Sequence, residues 1–163
     1  MKQRKSARAI LLNEQDQVLL VRHEDALPAD RSWPELLGYW ATPGGGVEGG
    51  ESEVEALRRE LREELRLADV KVGRRIGVRE VQLDLPGIGA VLSHETYYVC
   101  RGSETPVLNR QGLSESERRV CKAIHWWSRE ELSETTEILR PAALPELVEH
   151  AFQVHADLIH LQY

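Results

Sequence analysis

The sequence predicts one α/β domain in which a mixed sheet lies between helices. Three observations carry that prediction. Short β-branched and leucine-rich runs alternate with turn signals, one segment has strong helical periodicity, and no internal repeat, low-complexity tract or interdomain linker divides the chain. The 163 residues, 41% of them hydrophobic, suffice for one core without disulfide staples.

Taken in order, residues 7–12 and 17–22 read as a hairpin around the polar turn 13–16. Residues 24–38 hold Pro28, Pro34 and Gly38 and read as a long surface loop. In Trp40 to Val47, the consecutive Gly44, Gly45 and Gly46 exclude a helix and permit close backbone approach to a ligand. Ser52 and Glu55 have capping-box spacing, so a helix should start near residue 53, with Val54, Leu57, Leu61 and Leu65 as its apolar stripe. Strands follow at 70–81 and 89–101, separated by Pro86-Gly87. A second long loop covers 102–118, and 123–127 reads as a last strand. Ser128 to Glu131 repeats the capping box and opens a short helix. Pro141 is expected to start a final helix with Leu144, Leu147, Val148, Ala151 and Phe152 on its apolar face, running to about residue 160.

Charge narrows the function. The 27 acidic and 21 basic residues give a net charge of −6 and a pI near 5.6, which argues against general nucleic-acid binding. No apolar run approaches the roughly 20 residues of a membrane span. The basic start, Met1 to Lys5, lacks the apolar region and cleavage site of a signal peptide. Cys100 and Cys121 cannot form a disulfide framework, which points to a reducing cytoplasm. The acid is clustered: six glutamates stand against three arginines between residues 51 and 64.

Glu60, Glu63 and Glu64 share one flank of the expected helix. With Leu57 set to zero and about 100° per residue, they fall near −60°, −120° and −20°, bordering a leucine stripe from about 0° to 80°. Like charges at this spacing repel, and a divalent cation would offset the repulsion. Glu/Arg pairing on a solvated face is the alternative. Oxygen ligands on one helical flank suit Mg²⁺ or Mn²⁺.

These residues resemble the Nudix hydrolase signature. Gly45, Glu51, Arg59, Glu60, Glu63 and Glu64 match six of its fixed positions, a coincidence of order 10⁻⁷ at a given start. Arg66 departs from it, since the family usually has glycine there. The resemblance covers about residues 6–152 and implies an αβα sandwich around a mixed sheet, here a single domain over residues 1–163. It also implies Mg²⁺-dependent hydrolysis, with Mn²⁺ as a substitute, of a phosphoanhydride in a nucleoside diphosphate linked to another group. By the same resemblance Glu60, Glu63, Glu64 and the carbonyl of Gly44 are metal ligands, and Glu60 is also a candidate base. Arg59 orients a ligating glutamate, while Gly45 and Glu51 support the loop or act through water.

A glutamate outside the helix supplies a base or extra ligand in some branches of the family, and Glu115, Glu117 and Glu95 are the candidates here. Arg22, His23 and Arg31 are candidates for phosphate contacts, and Trp33, Tyr39 and Trp40 for stacking a base. Core packing and solvated loop positions are the alternatives for all of them. The expected partner is a small nucleotide-like substrate, with a homodimer through the final helix at Leu158 and Ile159 as a further expectation. Two other readings of the chain are a catalytically silent nucleotide-binding module and an isomerase that would need a cysteine at the metal site.

Overall fold

The computed structural model describes residues 1–24, 38–85, 87–111, 115, 121–153 and 158–161. Nine strands form one mixed sheet among these residues. Strand β1 (Lys2–Leu12) turns through Asn13, whose side-chain oxygen accepts from the backbone N–H groups of Gln15 and Gln17, into β2 (Val18–Glu24). The hairpin thus forms as the sequence reads. Next come β3 (Gly38–Ala41), β4 (Gly44–Gly46), helix α1 (Glu53–Leu65), β5 (Lys71–Leu85) and β6 (Gly89–Arg101). The chain continues through β7 (Cys121–Trp127), α2 (Arg129–Glu134), β8 (Leu139–Arg140), α3 (Leu144–Ala151) and β9 (Ile159–Leu161).

The sheet runs β8-β3-β2-β1-β6-β5-β9, with β4 paired to β1 and β7 to β2. The β1–β6, β3–β8 and β5–β9 pairs are parallel and the others antiparallel. Alternation along β1 builds two apolar layers. Ala7, Ala9 and Leu11 pack with Leu57, Leu61 and Leu65 of α1, while Ile10 and Leu12 join Leu132 of α2 and Leu144 and Leu147 of α3. The result is helices on both faces of the sheet.

Helix α1 starts as expected. The Ser52 hydroxyl accepts from the Glu55 amide at 3.1 Å, and the Glu55 carboxylate accepts from the Ser52 amide at 2.8 Å. It ends at Arg66, left-handed at φ 56, whose amide reaches the carbonyls of Arg62 and Leu61. The Leu67 amide also donates to Leu61 at 3.2 Å, so the backbone bonding that favours glycine here forms with arginine.

The final helix differs from expectation. It begins at Leu144 with Pro145 in its first turn, because Pro141 follows β8 directly. It stops at Ala151, and Ile159 belongs to a strand whose residues pair with Gly77, Val78 and Arg79 of β5. Among the described residues Ile159 thus lies on a strand and not on the expected final helix. Among the described residues no helix is long and apolar enough to cross a membrane.

Candidate active site

The acidic flank of α1 faces the short strand β4, which β1 holds through the pairs Ala7–Gly45 and Arg8–Gly44. Gly44 has φ +133, and a Cβ there would lie 2.2 Å from the Ala7 carbonyl oxygen. At Gly45 a Cβ would meet the Glu60 carboxyl carbon at 2.5 Å. Glycine at these two positions therefore lets β4 lie against β1 on one side and against Glu60 on the other. The Gly44 amide donates to the Glu64 carboxylate at 3.5 Å.

Burial follows the helical wheel. Glu64, nearest the leucine stripe, is 7% exposed, while the side chains of Glu60 and Glu63 are 19% and 50% exposed. Arg59 ties the cluster together. Its Nε and Nη2 donate to the two oxygens of Glu51 at 2.8 and 3.0 Å, and Nη1 donates to Glu60 at 3.0 Å and Glu63 at 3.3 Å. Nη2 also reaches the Gly46 carbonyl at 3.0 Å. The fork to Glu51 raises the Arg59 pKa and lowers that of Glu51, so both are charged. Glu51 accepts from the Glu48 amide as well, which fixes the loop into the helix.

The carboxylates along this flank, Glu60, Glu63 and Glu64, offer oxygen donors only, and the nearby Gly44 carbonyl is engaged by Arg8. That set fits a hard divalent cation. Among the described residues no three His, Cys, Asp or Glu side chains already converge as a cation cage.

Arg8 joins this cluster to the other face of the sheet. Its Nη1 donates to the carbonyls of Gly44 at 3.2 Å and Thr42 at 3.4 Å, and its Nη2 lies 3.7 Å from Glu95. Arg8 carries no sequence expectation, because its role depends on the β1–β4 register. Glu95 is 4% exposed and takes the Tyr97 hydroxyl at 2.7 Å and Arg79 at 3.1 Å. Burial works against its charge, but Arg8 and then Arg79 hold its pKa below the ordinary carboxylate value. Glu95 is thus an ionised member of an arginine network, which disfavours it as a proton acceptor.

Other candidates separate. Trp40 packs edge-on against Trp127, with centroids 5.4 Å apart, at the core under α3. Core packing, the alternative to base stacking, describes it. Arg22 is engaged by Glu137 at 3.2 Å and by Glu24. Glu115 is exposed. Arg31, Trp33 and Glu117 lie outside the described residues, as does most of the long loop at 24–38. Cys100 is buried and its pKa is pushed up to about 12 by that burial, which makes it unsuited to nucleophilic work. Glu53 was missed by the sequence reading: it accepts from Tyr98 at 2.6 Å and Thr96 at 3.3 Å and moors the start of α1 to β6.

Tyr39 stacks on His23, with centroids 5.3 Å and planes 10° apart. Burial, then the charge of Arg8, lowers the His23 pKa from 6.5 to about 4. The folded state therefore binds fewer protons than the unfolded chain between those values, so stability falls as pH drops through that window. The expected loss is roughly 2–3 kcal/mol between pH 7 and 4 from this residue. Urea unfolding across pH, compared with His23→Phe, measures it, and equal pH slopes for the two proteins would exclude the contribution.

The acidic helix beside a glycine strand, on a mixed sheet covered by helices, defines a class. A model of the NUDIX domain matches residues 2–148, and the chain belongs to that family of MutT-like hydrolases. Among solved structures it is similar to a MutT protein from Methanosarcina mazei Go1, at 21% identity and TM-score 0.62 over 92% of this chain and 93% of that one. The Escherichia coli ORF135 protein is similar at 27% identity and TM-score 0.57, over 92% of this chain and 89% of that one. A Mycobacterium tuberculosis relative, provisionally named 8-oxo-dGTP diphosphatase 2, is 59% identical over 46 residues, 27% of this chain. The chain spans about a third of that relative's length, 33%.

Proposed function

We propose that the chain hydrolyses a phosphoanhydride bond in a nucleoside diphosphate linked to another group, using Mg²⁺ or Mn²⁺. The observation that carries this reading is the placement of the Glu60 and Glu64 carboxylates against one glycine backbone, Gly44–Gly45. Glu60, Glu64 and the Gly44 carbonyl, with Glu63 at the exposed rim, would hold a divalent cation, which would supply charge neutralisation at the diphosphate and a more acidic attacking water. Glu60 is the candidate to take the water's proton as its oxygen bonds to phosphorus and the bridging P–O bond breaks. Arg59 holds Glu60 in place through Nη1 while its other nitrogens fix Glu51 and Gly46. Nearly buried Glu64 keeps its carboxylate beside the Gly44 amide.

The test is phosphate or pyrophosphate release across nucleoside triphosphates, nucleotide-sugars and dinucleotides, with and without Mg²⁺. The named activity of the mycobacterial relative puts an oxidised deoxynucleoside triphosphate on the panel. Release that requires the metal and stops on chelation is expected. No turnover of any compound at high enzyme concentration would instead make the chain a nucleotide-binding module.

A further inference from the structure

Arg8 lies at the junction of the glycine strand and the sheet face opposite α1. On that face it lines, with Arg4, Arg79 and Arg140, a cavity of about 150 Å³. Its Nη1 nevertheless reaches the carbonyl oxygens of Gly44 at 3.2 Å and Thr42 at 3.4 Å. The Gly44 carbonyl is one of the oxygens assigned above to the cation, and the amide of the same residue donates to Glu64. A guanidinium and the cation would therefore meet at one oxygen atom.

The charge of Arg8 is only partly matched nearby. Its one ion-pair partner among the described residues is Glu95 at 3.7 Å, and Glu95 also pairs with Arg79 at 3.1 Å. Two guanidinium groups thus share one carboxylate. Arg59, the other arginine beside the acidic flank, differs because its fork to Glu51 gives it a carboxylate of its own. Glu95 and Arg79 are buried and the Arg8 side chain is only 22% exposed, so water screens this charge weakly. Burial works against the Arg8 charge, while Glu95, Tyr97 and then Glu64 act to keep it. Its field already acts on a carboxylate of the candidate metal set.

That field treats two ligands oppositely. A free divalent cation adds positive charge beside a positive group. A cation already bound to a diphosphate brings its own neutralising charge, and any excess negative charge is attracted. We propose that Arg8 sets the form in which the metal loads: it disfavours a free cation at Gly44 and Glu64 and favours one that arrives with its diphosphate. The metal then enters with the substrate instead of residing in the empty site. This rests on the metal set of the hydrolase reading above.

The test is calorimetric titration of the full chain with Mn²⁺ alone and with its one-to-one complex with methylenediphosphonate, whose bridging carbon resists hydrolysis. Arg8→Gln removes the charge and keeps an N–H for Gly44. It should bind Mn²⁺ alone about three- to tenfold more tightly and the anionic complex about threefold more weakly. Arg8→Lys keeps the charge and should stay closer to the parent with both ligands. Glu95→Gln removes the counter-charge of Arg8 and should shift both affinities in the reverse sense, an independent readout if Arg8→Gln fails to fold. Arg62→Gln, exposed and about 160° or more around α1 from Glu60 and Glu64, controls for net charge and should change neither.

Shifts of the same sign for the two ligands, or none, overturn the proposal and leave the hydrolase reading intact. Weaker binding of both would make Arg8 a support of β4 only. Equal shifts in Arg62→Gln overturn it as well. Opposite shifts in a protein that hydrolyses no compound support the role of Arg8 and overturn the hydrolase reading. No binding of Mn²⁺ in either form by the parent chain overturns the metal set and the proposal together.

Discussion

Glu64→Gln and Glu60→Gln are each expected to lower metal-dependent turnover by about 10²–10⁴-fold, the range for loss of a proton acceptor or a directly engaged charged group. The two should differ in stability. Glu64 is 7% exposed and sits between Leu61 and Leu65, which are fully buried. An amide of the same shape relieves the cost of a buried carboxylate, so Glu64→Gln keeps or raises the unfolding free energy. Glu60 shares Nη1 of Arg59, and its neutralisation removes a charge-assisted bond. A loss of about 1 kcal/mol is expected there. Turnover within about threefold of the parent for Glu64→Gln would place the metal ligands elsewhere. Calorimetric titration with Mn²⁺ offers a second readout, since each variant should bind the ion more weakly.

The second large effect separates two adjacent glycines. Gly44→Ala forces a methyl group to within 2.2 Å of the Ala7 carbonyl oxygen at φ +133. Both obstacles are backbone, so the β1–β4 pairing must part, and a loss of about 3–5 kcal/mol is expected. Gly45→Ala meets only the end of the Glu60 side chain, at 2.5 Å. That side chain can swing aside, so stability should change by no more than about 1 kcal/mol. The displaced carboxylate then lowers turnover by about tenfold or more. Urea midpoints and metal-dependent rates on both variants check the contrast. Unchanged turnover in Gly45→Ala would mean that Glu60 does not work from its position against β4.

What could be read from the sequence was what local periodicity and capping chemistry determine. Ser52, Glu55 and the leucine stripe defined α1, and the helical wheel ordered the burial of Glu64, Glu60 and Glu63. The turn at Asn13 and the break before Gly87 placed the first hairpin and the long pair β5–β6. Short elements made by tertiary pairing escaped. Strands β8 and β9, of two and three residues, carry no period and exist because β3 and β5 offer them edges. Pro141 was read as a helix start, since proline suits that role, yet Pro145 fills it. The arginine cavity was equally hidden. Arg4, Arg8, Arg79 and Arg140 are far apart in the chain, and register alone gathers them, as in the direct pairing of Arg79 with Glu95 and of Ala41 with Arg140.

Strand β1 assigns its residues by parity. Odd positions, Ala7, Ala9 and Leu11, form the floor beneath α1, and even positions, Arg4 and Arg8, furnish the cavity behind it. Ala7 and Arg8 are neighbours in one backbone, yet they serve opposite compartments. Loss of a single residue between Arg4 and Arg8 would turn a guanidinium into the leucine layer or withdraw it from the cavity. The acidic helix on one side and the arginine-lined cavity on the other are thereby yoked to the same eleven-residue count, and neither can be shifted by one residue without unsettling its counterpart.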